Sequence, residues 1–348
     1  MIFHNTLIYW YLQKKRDLPW RKTKDPYRIW LSEIMLQQTR VAQGLPYFLK
    51  FKKAFPTVFD LAKADESKVL KLWQGLGYYS RARNLHFTAK YIANELDGKF
   101  PTTYKELLKL KGVGDYTASA IASICFDEAA AVVDGNVYRV VARYFGIDTP
   151  INSTAGIKEF KELAQTLIDK DQPGLYNQAI MDFGALHCKP QNPLCNQCPF
   201  LESCVAFNKK LVDKLPVKEK KLKIKNRYFN YLVVVTKENK TILQERTEKG
   251  IWKGLYQFPL IETQESINEK VLIENDLFSS LFSEETIVSL FNKEDIVHKL
   301  SHQHLHTKFW IVKTQEVSYK TVDFKNIHTY PVPVLIDKFL TNFLNIKK

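Results

Sequence analysis

Hydrophobic residues recur at helical spacing through the first two hundred residues of the chain. The segment 28–36 is strongly apolar, the segment 81–96 carries periodic apolar positions, and 137–143 shows the same spacing again. Two further helices are expected between residues 160 and 186, and residues 1–12 have the pattern of an amphipathic helix. Pro and Gly residues separate these segments. The pattern therefore predicts a region that is nearly all α-helical.

Beyond residue 227 the spacing changes from helical to alternating. Residues 228–236 and 241–245 flank a polar turn, which predicts a β-hairpin. Another strand is expected at 304–313, and helical patterns occur near 285–292 and 333–345. This part of the chain is therefore predicted to be α+β.

Residues 209–227 separate the two patterns and are unusually basic, with nine Lys or Arg against two Asp or Glu. Their net charge of +7 is half of the +14 that the whole chain of 348 residues carries. Such a segment is either a solvated tether or a linker that also lies along phosphates. We expect three parts: a helical region at 1–208, this linker, and an α+β domain at 228–348.

The charge and composition of the whole chain narrow the class of protein. A hydrophobic fraction of 45% predicts a folded protein, and the basic balance favours a polyanionic partner such as nucleic acid. The apolar run at 7–12 is too short for a signal peptide, and no run approaches the length that spans a membrane. We therefore expect a protein of the cytoplasm, associated with the nucleoid through DNA and without a membrane partner.

Four of the five cysteines form one cluster with the spacing C-x6-C-x2-C-x5-C. Structural zinc sites usually combine two close pairs separated by a longer insert, whereas here one compact loop supplies all four thiolates. Such a loop suits a [4Fe–4S] cluster, with zinc as the alternative. The four candidate metal ligands are Cys188, Cys195, Cys198 and Cys204.

A glycine-containing turn at 110–114 joins two of the predicted helices. Glycines at this spacing allow backbone N–H groups to approach a phosphate, and the following helix directs its positive N-terminus at the same anion. The candidate phosphate-binding residues are Gly112, Val113 and Gly114. About twenty residues later, Asp134 precedes the next helix, where an N-cap is the ordinary explanation.

Five motifs together carry a resemblance that none of them carries alone. They are WLSEIMLQQTRV, LWQGLGYYSRARNL, LKGVGDYTA, VDGNVYRV and the cysteine loop, and the resemblance that they carry covers residues 16–205. This region resembles the adenine DNA glycosylases of the MutY type, in the helix-hairpin-helix, endonuclease III superfamily. The resemblance implies a six-helix bundle with the hairpin at about 21–130, and an iron–sulfur subdomain formed by 1–20 with 131–208. The mild departure is Lys111, where these hairpins often have proline.

The resemblance also implies a role for each catalytic residue. Glu33 would be the general acid, because an acid among apolar neighbours has a raised pKa if it faces inward, although an exposed helix acid is the ordinary alternative. Asp134 would stabilise the oxocarbenium-like sugar, by charge or through a transient covalent adduct, and Asn136 would orient it. Tyr116 would close over the base. It stands where bifunctional relatives carry a Schiff-base lysine, so we expect a monofunctional enzyme without efficient strand cleavage.

Further positions match residues that bind the flipped base and the duplex in that family. Gln38 and Tyr78 would wedge into the base stack. Ordinary core packing is the alternative for the Trp and the Met of the predicted base pocket. The pocket residues are Leu18, Trp20, Arg21, Gln178 and Met181.

The C-terminal part resembles the Nudix-like domain with which adenine glycosylases read 8-oxoguanine. The string GIWKGLYQFP at 250–259 is the strongest match, and Ser301 and His302 correspond to the family's lesion-reading loop. The segment 262–274 lacks the carboxylate pattern of Nudix hydrolases, so we expect no pyrophosphatase site. The expected partner is duplex DNA containing 8-oxoguanine:A or G:A, bound by a monomer. Alternatives are a thymine mismatch glycosylase and a non-catalytic lesion-binding protein; the presence of both Glu33 and Asp134 argues against the second.

Overall fold

The computed structural model describes residues 2–219, 224–282, 286–315, 317 and 319–346. Their contacts divide the chain into two compact units, one made of residues 1–63 with 84–220 and the other of 64–83 with 221–348. The second unit therefore includes a short piece of the helical region. The predicted linker is not a free tether over its first half, because the carbonyl oxygen of Val217 accepts a hydrogen bond from the backbone N–H of Ile151.

The helical pattern read from the first two hundred residues is confirmed. The long apolar segment around residue 30 is divided at Gln37, where the backbone leaves the helical region. Helix ends follow ordinary capping rules, since Asp25 caps one helix with a proline at its first position and Gly146 ends another in the left-handed conformation. The helices are α1 (Ile2–Lys14), α2 (Pro26–Leu36), α3 (Val41–Ala54), α4 (Val58–Lys63), α5 (Glu66–Trp73), α6 (Ser80–Glu95), α7 (Tyr104–Leu107), α8 (Asp115–Phe126), α9 (Gly135–Phe145), α10 (Thr154–Leu167), α11 (Pro173–Leu186) and α12 (Val205–Asn208).

Two glycines of α11 allow close approaches that shape the helical unit. A Cβ at Gly184 would lie 2.6 Å from the Cβ of Asn136, and a Cβ at Gly174 would lie 2.6 Å from the carbonyl oxygen of Ser123. Helix α11 therefore packs tightly against both the C-terminal part of α8 and the N-terminus of α9. This packing brings the segment that contains Asp134 next to α11.

The C-terminal part is α+β, as predicted. Within the described residues its main sheet has the order β5-β1-β8-β6, with β7 also paired to β8. Strands β1 and β8 run parallel over their whole length, from Lys225 opposite Gln303 to Thr236 opposite Thr314. The elements are β1 (Lys225–Thr236), β2 (Lys240–Ile242), β3 (Gln244–Glu245), β4 (Tyr256–Gln257), β5 (Leu260–Thr263), α13 (Glu269–Ile273), α14 (Asp276–Leu281), β6 (Ile287–Leu290), β7 (Ile296–Lys299), β8 (Gln303–Thr314), β9 (Thr321–Asp323) and α15 (Val334–Ile346).

Two predictions for this part are wrong. The expected hairpin at 228–245 does not form a ladder, because β1 pairs with β5 on one edge and β8 on the other, and β2 pairs with β9 instead. The expected helix near 285–292 is strand β6 in its described part, where exposed Ile287 and Ser289 alternate with more buried Val288 and Leu290. This alternation has the period of a strand, and β6 pairs antiparallel with β8. Residue 285 lies outside the described residues.

Residues 64–83 pack with the C-terminal part through polar and apolar contacts inside the second unit. Gln74 Nε2 donates to Asp337 Oδ1 at 2.9 Å, and Lys71 Nζ donates to the carbonyl oxygen of Tyr330 at 3.0 Å. A Cβ at Gly254, which has a φ of +79°, would lie 3.0 Å from the side chain of Leu70. These contacts explain why α5 and the loop after it group with the C-terminal elements rather than with the rest of the helical region.

Candidate active site

A cavity of about 980 Å³ opens in the helical unit. Its walls come from the turn before α2, from α2 itself, and from α8, α9 and α11. The four predicted catalytic residues and the five predicted base-pocket residues all line it, so positions far apart in the sequence meet at one place. These residues are Glu33, Asp134, Tyr116, Asn136, Leu18, Trp20, Arg21, Gln178 and Met181.

Glu33 faces into the unit rather than toward bulk water, since only 6% of its surface is exposed. It occupies the inner face of α2, whose neighbouring Ile29, Trp30 and Ile34 are also buried. Burial raises the pKa of Glu33 to about 6, opposed by a hydrogen bond from Tyr116 and by the charge of Arg21. A carboxyl group with this pKa can hold a proton near neutral pH and transfer it.

Tyr116 lies in the first turn of α8 with its hydroxyl directed at Glu33. The hydroxyl donates to Glu33 Oε2 at 2.6 Å and lies 3.2 Å from Met181 Sδ. Burial is the largest cause that raises the pKa of Tyr116 well above its ordinary value, followed by the nearby charges of Glu33 and Asp134. The phenol therefore keeps its proton and acts as a hydrogen-bond donor to the carboxylate.

Asp134 caps the N-terminus of α9. Its Oδ1 accepts from the backbone N–H groups of Asn136 and Val137, both at 2.8 Å, and its Oδ2 accepts from Asn136 Nδ2 at 2.7 Å. Burial raises the pKa of Asp134, whereas these hydrogen bonds and the charge of Arg139 oppose that rise. Because all three donors are N–H groups, the arrangement fixes the orientation of the carboxylate and favours its ionised form.

The base-pocket residues are held by a polar network that sequence analysis did not identify. Asp182 of α11 is fully buried, and its Oδ1 accepts from Arg21 Nη2 at 2.8 Å and also from Arg16. Arg21 in turn donates to Tyr11 Oη at 2.9 Å, and Tyr11 donates to Gln178 Oε1 at 2.8 Å. The network fixes one wall of the cavity. In the sequence, the signal for this network is an acid, Asp182, that directly follows Met181 within an apolar helix.

Two of the four candidate DNA-binding residues of the helical unit belong to the wall of this cavity, and the other two lie in the turn before α8. Gln38 and Gly114 both line the cavity. Gly112 has a φ of +82°, and a Cβ there would lie 2.7 Å from the Cβ of Asn84, so the turn requires glycine. Val113 is buried in the turn, where its N–H donates to the carbonyl oxygen of Leu110 at 3.1 Å.

The remaining three candidates belong to the second unit. Ser301 and His302 form the exposed tip between β7 and β8, which a hydrogen bond from Leu300 N–H to the carbonyl oxygen of Gln303 closes at 2.8 Å. Tyr78 is half exposed, and its hydroxyl lies 2.7 Å from Ser301 Oγ. The φ angle is +49° at Tyr78 and +54° at Gln38. Both predicted wedges thus adopt a conformation that is uncommon outside glycine and is often found at functional sites.

The four clustered cysteines are not paired in disulfides, and they line a second cavity of the helical unit. Burial raises the pKa of Cys198 to about 12, with smaller contributions from the charges of Cys188, Cys195 and Cys204. Among the described residues, no group of three or more His, Cys, Asp or Glu side chains is placed to ligate one metal ion. A four-iron cluster takes one thiolate at each iron, so its ligands need not converge on one point.

Two arginines on α9, four residues apart, were also missed. Arg139 donates to Asn136 Oδ1 at 2.8 Å and to the carbonyl oxygen of Cys188 at 2.7 Å. Arg143 donates to the carbonyl oxygen of Leu215 at 3.0 Å and lies 3.4 Å from Cys188 Sγ. Both are buried. A buried guanidinium requires several acceptors, so two arginines on a largely apolar helix were the available signal.

Comparison with known proteins identifies the family. Residues 31–167 match the model of the HhH-GPD superfamily of base excision DNA repair proteins, and residues 230–342 match the NUDIX domain. The adenine DNA glycosylase of Buchnera aphidicola subsp. Schizaphis graminum is 36% identical over 351 residues, covering 98% of this chain and 99% of that protein. The chain belongs to the adenine DNA glycosylase family. It is therefore an enzyme of base excision repair that removes adenine from DNA, and the predicted family and activity are confirmed.

Other similarities cover the helical region of this adenine DNA glycosylase. The adenine DNA glycosylase of Rattus norvegicus is 46% identical over 216 residues, which are 60% of this chain and 42% of that protein. A thermostable thymine-DNA glycosylase has a TM-score of 0.56 at 33% identity, covering 60% of this chain and 96% of that one. An endonuclease III–DNA complex has a TM-score of 0.53 at 22% identity, covering 60% and 95%, which confirms the predicted fold.

The described part of the chain contains no helix that is both long and apolar enough to span a membrane. The predicted NUDIX-type domain is present, and its segment 262–274 contains the end of β5 and the five-residue α13.

Proposed function

We propose that this adenine DNA glycosylase removes adenine paired with 8-oxoguanine or with guanine, with Glu33 as general acid and Asp134 as stabiliser of the sugar cation. The single observation that carries the proposal is the buried carboxyl of Glu33, with a pKa of about 6, in the same cavity as Asp134. The two acids have different environments. Burial raises the pKa of both acids. Glu33 accepts from one O–H donor, whereas three N–H donors orient Asp134 and favour its ionised form.

The chemistry follows from these environments. The C1′–N9 bond of a flipped deoxyadenosine breaks as Glu33 transfers its proton to the ring nitrogen N7 of adenine. Positive charge develops on the sugar and is stabilised by Asp134, either by charge alone or through a transient covalent adduct. Water then adds its oxygen to C1′ and gives a proton to the Glu33 carboxylate, which restores the acid and leaves an abasic site and neutral adenine. Asn136 keeps the Asp134 carboxylate in place.

The reaction stops at the abasic site. Strand cleavage through a Schiff base requires an amine at C1′, and the corresponding position here is Tyr116, whose phenol donates to Glu33. Tyr116 thereby positions the general acid and closes the cavity beside the base. In the same cavity Leu18, Trp20, Arg21, Gln178 and Met181 form the binding surface for adenine.

The cysteine loop fits a [4Fe–4S] cluster, which would give the loop a fixed structure. Cys188, Cys195, Cys198 and Cys204 would hold it, since all four line one cavity. The spacing of the four cysteines in one compact loop favours the cluster over zinc, since structural zinc sites usually combine two close pairs separated by a longer insert. Arg143 anchors Cys188 and Lys189 from α9.

The remaining proposed contacts are with the duplex. Gly112 and Gly114 would present backbone N–H groups to a phosphate, next to the N-terminus of α8. Val113, whose N–H is already donated to the carbonyl oxygen of Leu110, would hold the turn in place. Gln38 and Tyr78 would enter the base stack, and Ser301 with His302 would read 8-oxoguanine. Duplex DNA is bound by a single copy of the chain in this proposal.

The test measures base release from duplexes that contain A, T or C opposite 8-oxoguanine or guanine. We expect release of adenine only, fastest from 8-oxoguanine:A, and no release by Glu33→Gln. Thymine is the sharpest comparison base, because a thymine-DNA glycosylase resembles 60% of this chain. Release of thymine, or equal rates of adenine release opposite 8-oxoguanine and guanine, would contradict the proposed specificity.

A further inference from the structure

A buried imidazole directly before the first of the four cysteines has a ring nitrogen without a hydrogen-bond partner. His187 is 6% exposed, and its Nε2 forms no hydrogen bond with any of the described residues. An unpaired polar atom in a protein interior is costly, and a bound group that satisfies it is one explanation. The proposed excision reaction makes no use of this side chain.

The position of this imidazole is well defined. The backbone N–H of His187 donates to the carbonyl oxygen of Phe183 at 2.9 Å, and its carbonyl oxygen accepts from the N–H of Leu194 at 3.1 Å. Its ring stacks on that of Phe183 with centroids 5.0 Å apart, and it meets Trp10 of α1 edge to face at 5.9 Å. The ring is therefore packed between other aromatic rings and does not turn toward bulk water.

His187 also lines the cavity that the four cysteines line. Within the described wall of this cavity, side-chain N–H groups belong to His187 and Arg143 alone. Arg143 already donates to the carbonyl oxygens of Leu215 at 3.0 Å and of Lys189 at 2.8 Å. Nε2 of His187 is therefore the donor position of this wall that no described acceptor occupies.

We propose that His187 tunes the [4Fe–4S] cluster, because its Nε2–H donates a hydrogen bond to a cluster or thiolate sulfur. The inference rests on the cluster assigned under the proposed function. These sulfurs carry negative charge and accept hydrogen bonds, so the tautomer with its proton on Nε2 complements them. Hydrogen bonds to the sulfurs are among the factors that set the reduction potential of such clusters. A donor stabilises the more negative, reduced state, so this bond raises the potential.

Pulsed electron paramagnetic resonance tests the contact in the wild-type holoenzyme without any substitution. The cluster is made paramagnetic by chemical oxidation or reduction, in protein that contains either ordinary histidine or histidine with ¹⁵N in the ring. We expect a nitrogen coupling to the cluster that changes with the ring label and is absent from His187→Leu. A spectrum that does not respond to the label would mean that no imidazole contacts the cluster, and it would overturn the inference.

The second measurement is the reduction potential of the cluster, by voltammetry of the same holoenzyme. His187→Leu removes the donor and keeps an apolar side chain. At a fixed electrode potential, the ratio of oxidised to reduced cluster should rise by roughly three- to tenfold, the range of one hydrogen bond. Tenfold corresponds to about 59 mV toward negative potential for one electron.

Two further variants separate the hydrogen bond from the packing of the ring. His187→Gln should restore most of the wild-type potential, because its side-chain amide supplies an N–H donor at a similar reach. Trp10→Phe is the matched control, since it changes the packing against the His187 ring and keeps the nitrogen. Its potential should equal that of the wild type.

The outcomes distinguish the inference from the proposed cofactor. Wild-type protein that contains zinc and no iron would contradict the cluster itself. If iron is present but the potentials of His187→Leu and the wild type agree, the cluster stands and the inference is wrong. The inference is also wrong if Trp10→Phe lowers the potential as much as His187→Leu, or if His187→Gln restores nothing. If His187→Leu fails to retain iron, the ring-label experiment on the wild type decides.

Discussion

Replacing Tyr116 by Phe should move the pH dependence of adenine excision to higher pH. The Tyr116 hydroxyl donates to Glu33 Oε2 at 2.6 Å, and this bond lowers the pKa of Glu33 against the larger effect of burial. The active form of a general acid is the protonated one, so excision falls as the pH rises through its pKa. Without this donor, nothing at Oε2 offsets the effect of burial, so the pKa of Glu33 rises. The pH at which the excision rate falls therefore rises with it.

The size of the change follows from the hydrogen bond. A bond to a charged acceptor stabilises it by about 1.5–3 kcal/mol, and one pKa unit corresponds to about 1.4 kcal/mol. Protonated Glu33 retains part of the bond through its carbonyl oxygen, so we take the lower end, about one pH unit. With the pKa of Glu33 at about 6 in the wild type, its protonated fraction at pH 7.5 would rise from about 3% to about 24%.

The assay follows adenine release at subsaturating DNA between pH 4.5 and 9, because this regime reports the pKa of the free enzyme. Each curve of excision rate against pH is scaled to its own maximum. This separates a change in the pH at which the rate falls from a loss of overall rate. Tyr138→Phe is the control, since it removes the same oxygen from a partly buried tyrosine of α9 that does not contact Glu33. If the excision rate of Tyr116→Phe falls at the same pH as that of the wild type, or at a lower pH, then Glu33 is not the general acid whose pKa Tyr116 lowers.

Three further predictions concern the acid, the product and the cluster. Glu33→Gln should abolish base release yet keep duplex binding within about tenfold, or about 1.4 kcal/mol. Burial raises the pKa of this carboxyl from 4.5 to about 6 in the folded state, which costs about 2 kcal/mol of stability above pH 6 and nothing below pH 4.5. Urea unfolding should therefore show the variant to be more stable at pH 8 and equal near pH 4. The wild-type product should be an abasic strand that breaks only after heat or alkali, with little borohydride trapping; Tyr116→Lys should increase trapping, and efficient trapping by the wild type would reveal an unassigned amine. The purified protein should be brown with iron in the cysteine loop, and metal analysis that finds zinc without iron would contradict the cluster.

Two local features of the candidate site follow from short-range patterns in the sequence. Apolar residues on both sides of Glu33 imply that its side chain faces inward, and it is 6% exposed. Asp134 precedes a run with helical spacing, and it is the N-cap of α9. In both cases a few neighbouring residues determine the local structure. The catalytic roles of the two acids came from the resemblance to the adenine DNA glycosylases and stay predictions.

The parts that sequence analysis missed depend on long-range pairing. The partner of Ser301 is 223 positions away, and Arg139 reaches Cys188 across 49 positions. Strand β2 was assigned to a local hairpin, but both edges of β1 are already paired. No spacing rule within one segment contains this information, because the choice of partner is made by the packing of the whole unit.

The grouping of residues 64–83 with the C-terminal elements has a practical consequence for genetic dissection. A truncation after residue 220 would appear to remove an autonomous module, but it would also strip α5 of the hydrogen bonds that Gln74 and Lys71 make to Asp337 and Tyr330. A chimera that exchanges only the C-terminal segment would have the same defect. Grafts intended to transplant lesion preference should therefore carry two segments of the chain, with junctions near residues 63 and 83 as well as near 220.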